Sequence, residues 1–240
     1  MSCLLTIIYI PMQKIAIIPS KTENIPKHLS EYFEDAGWKV AVMAGCNSIF
    51  EAYTKALTEH SIKSDDTVVL CHDDISVLTN KSTFNEIIEK KLKEPKVGFI
   101  GVAGARILKE NCVWWDGVGQ YTSGHLAGMI YHGKDYHEMQ ETYYGPNGNV
   151  VALDGVFLAC KGSTLRTIKT EKPSYFTGNW DFYDIYYTLQ AHFKGLLNHT
   201  VPIQILHSSI GNTSGKDSWH YNREALIKKL GDKLPVFIKG

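Results

Sequence analysis

The sequence predicts a single-domain α/β fold built on a doubly wound sheet, and three observations lead to that prediction. Short apolar runs alternate with amphipathic helical patterns through about the first hundred residues, with crossovers long enough for parallel strands. The chain has 240 residues, which is enough for one substantial core. Its 44% hydrophobic and 21% charged residues are typical of an ordinary soluble globular protein and exclude disordered, collagen-like and coiled-coil chains.

The elements of the first half follow one another in a regular order. Continuous apolar runs predict strands at residues 14–19, 38–44, 67–71 and 97–102. Apolar residues at helical spacing predict helices at residues 23–36, from a cap at Asn47 or Ser48 onward, and at 82–93.

The pattern changes after Gly104. Residues 111–149 are rich in aromatic residues and glycine and have no helical period, which predicts irregular loops with short strands, of the kind that often bind ligands. Regular structure resumes beyond them, with predicted strands at 150–160 and 201–206 and predicted helices at 180–193 and 223–230. There is no internal repeat and no low-complexity linker, so we expect one domain with two functional halves.

Charge and cysteine content exclude several function classes. The 25 Lys+Arg residues balance the 25 Asp+Glu residues, so the chain lacks the basic surplus of a non-specific nucleic-acid binder. We therefore expect no nucleic-acid partner. The 5 cysteines are far apart and form no CxxC pair, which predicts free thiols rather than disulfides or a zinc site.

The start of the chain carries an apolar run at residues 3–10 that is too short to span a bilayer. It also lacks the basic start and cleavage site of a secretion signal. We predict that residues 1–12 form an N-terminal extension or an extra edge strand. Because no membrane segment is found elsewhere in the sequence, we expect a cytoplasmic location.

Polar side chains lie on or at the ends of predicted strands in the two halves. His72, Asp73 and Asp74 follow the strand at 67–71, Asp154 lies in the strand at 150–160, and His207 follows the strand at 201–206. Ligands of open parallel sheets bind beyond the carboxyl ends of the strands, so these side chains predict a site. Adjacent carboxylates suit Mg²⁺ or Mn²⁺, and an imidazole favours Mn²⁺ somewhat. Solvated loop acids and an ordinary histidine are the alternative interpretations.

Two further acids, Asp181 and Asp184, are spaced to share one face near the start of a helix. They could complement the helix dipole, which the spacing alone favours, or one of them could act as a general base. No GxGxxG element opens a helix, and no P-loop or GxSxG sequence occurs. A bound diphosphate would therefore need a metal ion.

Four blocks of the sequence, in the same order, resemble the nucleotide-sugar glycosyltransferases of the GT-A fold, in particular the glycosyltransferase-like family 2 group. The blocks lie at residues 46–53, 68–75, 153–159 and 182–185. The resemblance covers about residues 13–220 and implies a Rossmann-like, doubly wound mixed sheet. It also implies a nucleotide-sugar-binding half at residues 13–110 and an acceptor-binding half at 111–240.

The resemblance implies roles for individual residues. Asp74, Asp73 and His207 would bind the metal, and Asp184, with Asp181 as the alternative, would be the catalytic base. The donor nucleotide would contact Pro19, Ser20, Asn47, His72 and Asp73. The sugar and acceptor would contact Asp154 and Gly155. Trp114 and Trp115 could form an acceptor wall or fill the core.

Two positions depart from the family pattern. His72 stands at the first position of the DxD-type motif, which leaves metal dependence open. Tyr183 stands where many members have Glu, which leaves the choice between Asp181 and Asp184 open.

The sequence therefore predicts an enzyme that moves a sugar from a nucleotide-diphosphate donor to a glycan or other hydroxyl acceptor. The expected reaction depends on Mn²⁺ or Mg²⁺ and inverts the anomeric carbon in one displacement. One alternative is a metal-dependent phosphoesterase or nucleotidyltransferase, which would often need ligands for two ions about 4 Å apart. The other is a non-catalytic nucleotide-sugar-binding module.

Overall fold

The computed structural model describes residues 12–116, 124–209 and 217–238. The helices are α1 (Lys27–Asp35), α2 (Ile49–Glu59), α3 (Lys81–Leu92), α4 (Gly162–Thr167), α5 (Tyr183–Phe193) and α6 (Asp217–Leu230), followed by a 3₁₀ turn at Gly231–Lys233. The strands are β1 (Lys14–Ser20), β2 (Lys39–Ala44), β3 (Thr67–Cys71), β4 (Ile75–Val77), β5 (Val97–Gly101), β6 (Ala103–Ala105), β7 (Ile107–Leu108), β8 (Leu126–His132), β9 (Gln140–Gly145), β10 (Asn149–Val150), β11 (Ala152–Leu153), β12 (Phe157–Lys161), β13 (Leu197–Thr200), β14 (Ile205–His207) and β15 (Val236–Phe237).

The main sheet has 7 strands in the order β10-β13-β5-β12-β3-β1-β2. β1 runs parallel to β2 and β3, and β13 runs parallel to β5, whereas β12 runs antiparallel between β3 and β5. Strands β3 and β5 are buried along their whole length, as a sheet covered on both faces requires. The predicted mixed α/β sheet in a single domain is confirmed.

A second sheet curls away from the first and has the order β11-β6-β8-β14-β4, with β9 paired to β8. Its β4–β14 pair sets His207 opposite Ile75, the residue that follows Asp74. This pairing connects two parts of the chain that are more than a hundred residues apart. A small third sheet pairs β15 with β7.

Helix caps explain two of the predicted helix starts. The Ser48 hydroxyl accepts a hydrogen bond from Glu51 N at the start of α2, and the Asn80 side chain does the same for Thr83 N at the start of α3. Helix α1 begins at Lys27 rather than at residue 23, because Pro26 disfavours helical backbone in the residue before it.

Several predicted boundaries in the second half are wrong. The predicted strand at 150–160 is three strands, β10, β11 and β12. Of the predicted strand at 201–206, residues 201–204 are outside any strand and only the last two belong to β14, whereas β13 lies just before this range and was not predicted. Helix α5 begins at Tyr183 because Phe182, at φ 64°, has left-handed backbone. Helix α6 begins at Asp217 rather than at residue 223. The aromatic-rich segment contains the β8–β9 hairpin instead of mainly irregular loops.

Residues 1–11 of the predicted N-terminal extension lie outside the described residues. None of the helices in the described ranges is both long enough and apolar enough to cross a membrane.

Candidate active site and metal centre

The corner between β3 and β4 holds His72, Asp73 and Asp74, and two backbone hydrogen bonds fix it. His72 N donates to the Val156 carbonyl at 3.2 Å, and Ser208 N donates to the Asp74 carbonyl at 2.9 Å. The first bond ties the corner to the start of β12, and the second ties it to the residue after β14. The corner is therefore held by strands from the second half of the chain.

His72, Asp74 and His207 form a compact cluster, which we call the His–Asp–His cluster. Asp74 Oδ1 lies 3.3 Å from His207 Nε2 and 3.7 Å from His72 Nδ1. The two imidazole nitrogens, His72 Nδ1 and His207 Nε2, are 3.5 Å apart. Three ligand atoms therefore converge within 4.8 Å of one another.

The hydroxyl of Tyr183 determines which nitrogen of His72 faces this cluster. Tyr183 Oη donates its only proton to the Gly155 carbonyl at 2.8 Å. The contact between Tyr183 Oη and His72 Nε2, at 2.9 Å, must then be donated by the imidazole. In neutral His72 the proton is thus on Nε2, and Nδ1 presents a lone pair to the cluster. Outer hydrogen bonds orient metal-binding histidines in the same way.

The cluster fits a divalent metal ion. Asp74 Oδ1 is buried without a hydrogen-bond donor of suitable geometry, although a buried carboxylate oxygen needs such a donor or a cation. Two imidazole nitrogens and one carboxylate oxygen are ligands suited to a transition ion such as Mn²⁺. The described residues hold one such group of three ligands.

The ionisable groups of the His–Asp–His cluster shift one another's pKa values. Burial alone would raise the pKa of Asp74, but the neighbouring imidazole of His207 outweighs it and the pKa is lowered. Burial would lower the pKa of His207, but Asp74 outweighs it and raises that pKa. The pKa of His72 is lowered, first by burial and then by His207. Asp74 is therefore ionised and His72 is neutral near pH 7, as metal ligands must be.

Asp184 lies in the first turn of α5 and is held in a fixed orientation. Its Oδ2 accepts from Gly155 N at 3.0 Å, and its Oδ1 accepts from Ile185 N at 2.8 Å. Burial, and next the charge of Asp154, raise the pKa of Asp184 to about 7. A carboxyl group with a pKa near the working pH is suited to general-base chemistry.

Gly155 is required by the packing at this point. A Cβ atom on residue 155 would lie 2.1 Å from Tyr183 Oη and 2.9 Å from the Asp184 Cβ. The backbone of Gly155 also bonds to both side chains, through its carbonyl and its N–H. Beside it, Asp154 Oδ1 accepts from Val156 N at 3.0 Å. This turn between β11 and β12 therefore joins Asp184 to the His–Asp–His cluster.

The residues predicted to contact the donor lie at or just after the ends of β1, β2 and β3. Ser20 is the last residue of β1, and its hydroxyl donates to Asp73 Oδ2 at 2.6 Å. Asp73 is thus turned toward Ser20, and the His–Asp–His cluster is formed without it. Pro19 lies beside Ser20 in β1. The backbone N–H and side-chain amide of Asn47 both donate to Glu51 Oε2.

The two acids on α5 and its approach lie in different surroundings. Asp181 Oδ2 accepts from Ser218 Oγ at 3.2 Å, at the start of α6, whereas Asp184 contacts the Gly155 turn. The structure therefore brings Asp184, and not Asp181, into hydrogen-bond contact with the residues around the cluster. The assignment of either as the base stays a prediction.

The two tryptophans predicted to form an acceptor wall pack on each other, with ring centroids 5.7 Å apart. Trp114 is only 4% exposed and also packs on Tyr144, so its ring offers little surface to an acceptor. Trp115 is partly buried and contacts Trp219 of α6. These contacts fit the core-filling interpretation for Trp114.

Two features of the site were missed in the sequence. In the sequence Tyr183 is only a departure from the family pattern, and residue spacing does not predict its hydrogen bonds to His72 and Gly155. His132, at the end of β8, has its ring 5.8 Å from the ring of His207. The parallel β8–β14 pairing brings these two histidines together, and no local signal predicts it.

Two solved structures are similar in fold to this chain. A crystal structure of A197 from STIV is similar over 82% of this chain and 86% of that chain, with 14% identity and a TM-score of 0.51. A crystal structure of GalNAc-T7 with UDP, GalNAc and Mn²⁺ is similar over 91% of this chain, with 8% identity and a TM-score of 0.54. This chain covers 48% of that GalNAc-T7 chain.

A further solved structure is less similar, and the comparison with curated protein sequences finds no match. A crystal structure of 4-diphosphocytidyl-2C-methyl-D-erythritol synthase aligns over 90% of this chain and 100% of that chain, with 13% identity and a TM-score of only 0.38.

The sequence model of a glycosyltransferase-like family matches residues 31–222. This range includes α2, the β3–β4 corner, the Gly155 turn, Asp184 and His207, and the fold is of the GT-A type found in GalNAc-T7. The chain belongs to the glycosyltransferase-like family.

Proposed function

We propose that this protein transfers a sugar from a nucleotide-diphosphate donor to a hydroxyl acceptor, with inversion and with the help of a divalent metal ion. The observation that carries the proposal is the connection between a carboxyl group of raised pKa, Asp184, and the His–Asp–His cluster through Tyr183 and Gly155. The site thus combines a base for an acceptor with ligands for a metal ion.

Asp74, His72 and His207 would hold the ion. When bound, Mn²⁺ or Mg²⁺ supplies positive charge that stabilises the departing diphosphate, so that the leaving group needs no proton. The Tyr183 hydroxyl keeps the His72 Nδ1 lone pair directed at the cluster. Asp73, which accepts a hydrogen bond from Ser20 at the end of β1, would contact the donor together with Pro19 and Asn47.

Asp184 would remove the proton of the acceptor hydroxyl. As the O–H bond breaks toward the Asp184 carboxylate, the acceptor oxygen forms a bond to the anomeric carbon. The bond between that carbon and the diphosphate oxygen breaks on the opposite side, and its electron pair leaves with the diphosphate. One in-line displacement of this kind inverts the anomeric carbon. Asp154, near Asp184, would bind a hydroxyl of the donor sugar or acceptor.

The alternatives are less well supported. A phosphoesterase or nucleotidyltransferase often needs two ions about 4 Å apart, and the part of the chain that the structure describes offers one group of three ligands. The raised pKa of Asp184 favours a catalytic role over a non-catalytic binding module. The cytoplasmic location and the absence of a nucleic-acid partner stay predictions from the sequence. The free thiols of Cys46, Cys71, Cys112 and Cys160 fit a reducing compartment.

Thermal unfolding with a panel of UDP-, GDP-, dTDP- and CMP-sugars, each with Mn²⁺, Mg²⁺ or EDTA, tests the donor. The GalNAc-T7 structure holds UDP, GalNAc and Mn²⁺, so UDP-sugars are tested first. A ligand at 100 times its Kd should stabilise the folded state by about 2.7 kcal/mol. We expect a metal-dependent shift with one nucleotide class, and no shift with any of them would contradict the proposal.

A pair of variants then separates the transferase from the binding module. Asp184→Asn should keep nucleotide-sugar binding and lose transfer to the acceptor by about a hundredfold or more. Asp181→Asn, the matched control on the same approach to α5, should keep both. If Asp184→Asn retained full transfer, Asp184 would not be the base.

A further inference from the structure

A cavity of about 550 Å³ lies between α5, α6 and the segment at residues 169–175, away from the candidate active site. Its α5 side chains include Tyr186, Leu189 and Phe193. At about 100° of rotation per residue, these three lie roughly on the opposite side of the helix from Asp184. A ligand in this cavity would therefore be separated from the acceptor site by α5 itself.

The cavity has an apolar floor and aromatic walls. Leu189, Leu226 and Leu230 are buried and form the floor. Tyr175, Tyr186 and Phe193 stand around it, and Phe193 is 41% exposed, although a phenylalanine is usually buried. The cavity thus offers apolar ring surface to a ligand.

The rim of the cavity is basic. It carries four lysines, Lys169, Lys172, Lys229 and Lys233, and one acid, Glu171. Within the described ranges, none of the four lysines forms an ion pair with a carboxylate, although seven other lysine and arginine residues do. Because the chain as a whole has no net charge, this surplus is local to the cavity.

Two of the lysines are already placed beside aromatic rings. Lys229 Nζ lies 6.0 Å from the centre of the Tyr175 ring, and Lys233 Nζ lies 5.3 Å from the centre of the Phe193 ring. Each ammonium group is thus held at the edge of the cavity, next to a ring that a ligand could contact. A ligand that combined a ring with negative charge would meet both features at once.

We propose that this cavity is a second binding site, for a small phosphorylated ligand that carries a sugar or nucleoside ring. Lysine ammonium groups bind phosphate as point charges, and aromatic side chains pack on the faces of rings. The volume is in the usual range of small-molecule sites. The proposal does not depend on the reaction at Asp184, because the two sites lie on different sides of α5.

Leucine-methyl NMR of the full chain tests the proposal, because Leu189, Leu226 and Leu230 report directly from the cavity floor. UDP, glucose 1-phosphate, inorganic pyrophosphate and uridine are titrated separately, with EDTA present to keep metal from the His–Asp–His cluster. We expect saturable chemical-shift changes of the methyl groups of the three leucines with UDP or glucose 1-phosphate. The ligand that binds more tightly shows whether the site prefers a nucleoside or a sugar ring. Uridine should bind at least about tenfold more weakly than UDP.

Three variants complete the test. Lys229→Gln with Lys233→Gln should weaken binding by about tenfold or more. Lys90→Gln with Lys93→Gln removes the same charge from exposed positions on and after α3 and should leave binding unchanged. Asp74→Asn should also bind normally.

Four outcomes would overturn the proposal. They are the absence of leucine shifts, equal binding of uridine and UDP, pyrophosphate binding as tightly as the ring-bearing ligands, and equal losses in the two lysine double variants.

Discussion

Tyr183 and His72 are joined by a hydrogen bond of 2.9 Å in which the imidazole is the donor, because the tyrosine hydroxyl donates its own proton to Gly155. The bond links helix α5, which carries Asp184, to the corner that carries Asp74. It also leaves His72 Nδ1 as an acceptor toward the His–Asp–His cluster. One hydroxyl therefore helps to determine both the position of α5 and the tautomer of a candidate metal ligand.

Tyr183→Phe should weaken metal binding. The variant removes the acceptor for His72 Nε2–H, and loss of such an outer partner typically costs about 10–100-fold in metal affinity. It also leaves the Gly155 carbonyl without its donor, which should lower the free energy of unfolding by about 1–3 kcal/mol. Titration with Mn²⁺ measures the first effect and chemical denaturation the second. Tyr186→Phe, one turn along the same helix, is the control, and an equal loss of affinity in both variants would contradict the prediction.

Gly155→Ala should destabilise the protein and disorganise the site. The new Cβ would lie 2.1 Å from Tyr183 Oη, so α5 or the β11–β12 turn must move. Overpacking of this kind costs about 1–3 kcal/mol or more. Gly124→Ala is the matched control, because a Cβ there meets nothing within 4 Å. Comparing the melting temperatures of the two variants with that of the wild type checks this, and a Gly155→Ala protein as stable as the control would argue against the packing described.

The raised pKa of Asp184 should make stability depend on pH. Between the ordinary pKa of 3.8 and about 7, the unfolded chain has lost this proton while the folded protein keeps it. The folded state therefore binds more protons, and the free energy of unfolding falls as pH rises through this range. At about 1.4 kcal/mol per pKa unit, the loss has an upper bound of about 4 kcal/mol, which residual solvent contact reduces.

Asp184→Asn should remove that part of the pH dependence. Because asparagine cannot ionise, the stability of the variant relative to the wild type should increase from pH 4 to pH 8. Denaturant unfolding at a series of pH values measures the slope, which is insensitive to any constant cost of the lost hydrogen bond. Parallel curves for the two proteins would show that Asp184 has an ordinary pKa.

The rate of the proposed transfer reaction should also depend on the protonation of Asp184. A base with a pKa of about 7 is largely protonated below that pH, so kcat/KM should fall about tenfold per pH unit on the acid side. Asp181→Asn should keep this profile. An activity that stayed level down to pH 5 would exclude Asp184 as the base whose protonation limits the rate.

Mn²⁺ should stabilise the protein through Asp74 but not through Asp73. At 100 times its Kd, the ion should add about 2.7 kcal/mol, which for a domain of this size raises the melting temperature by about 5–10 °C. Asp74→Asn should abolish the shift. Asp73→Asn should retain it, because Asp73 is bonded to Ser20 and lies outside the cluster. A shift lost in Asp73→Asn and kept in Asp74→Asn would reverse the assignment.

The first half of the fold could be predicted because its signals are local. Strands β1, β3 and β5 are continuous apolar runs, and the starts of α2 and α3 follow from the caps Ser48 and Asn80. A continuous apolar run directly indicates a strand that is buried on both faces.

The second half has strands that the sequence pattern conceals. Strand β13 reads Leu-Asn-His-Thr, a polar segment, yet Asn198 is 1% exposed. Its side chain accepts from Phe99 N and donates to the Val151 and Thr188 carbonyls. Phe99 and Val151 are distant in sequence, so tertiary contacts rather than a local hydrophobic period form this strand. The predicted run at 201–206 is broken because Pro202 lacks an N–H and the chain crosses there from the first sheet to the second.

The candidate site could be predicted only in part, because its residues follow local signals but their side-chain directions depend on tertiary contacts. The ends of predicted strands indicate Asp74 and His207, since ligands collect at the carboxyl ends of strands, and Asp154 lies within a predicted strand. Which carboxylate of the Asp73–Asp74 pair faces His207 depends on side-chain directions, set by Ser20 and by the β4–β14 pairing. Those directions follow only from the assembled sheets.

The position of β12 between β3 and β5 has a consequence for the synthesis of the chain. Until residue 161 has left the ribosome, β3 lacks a neighbour on one side, and β5 lacks both of the strands that flank it. At about 5–20 residues per second, the delay from the end of β5 to the end of β12 is roughly 3–12 s. During this time two apolar strands have unpaired edges, the form in which nascent chains aggregate. Insertion of β12 therefore pairs the free edge of β3 and one of the two free edges of β5, and the other edge of β5 waits for β13.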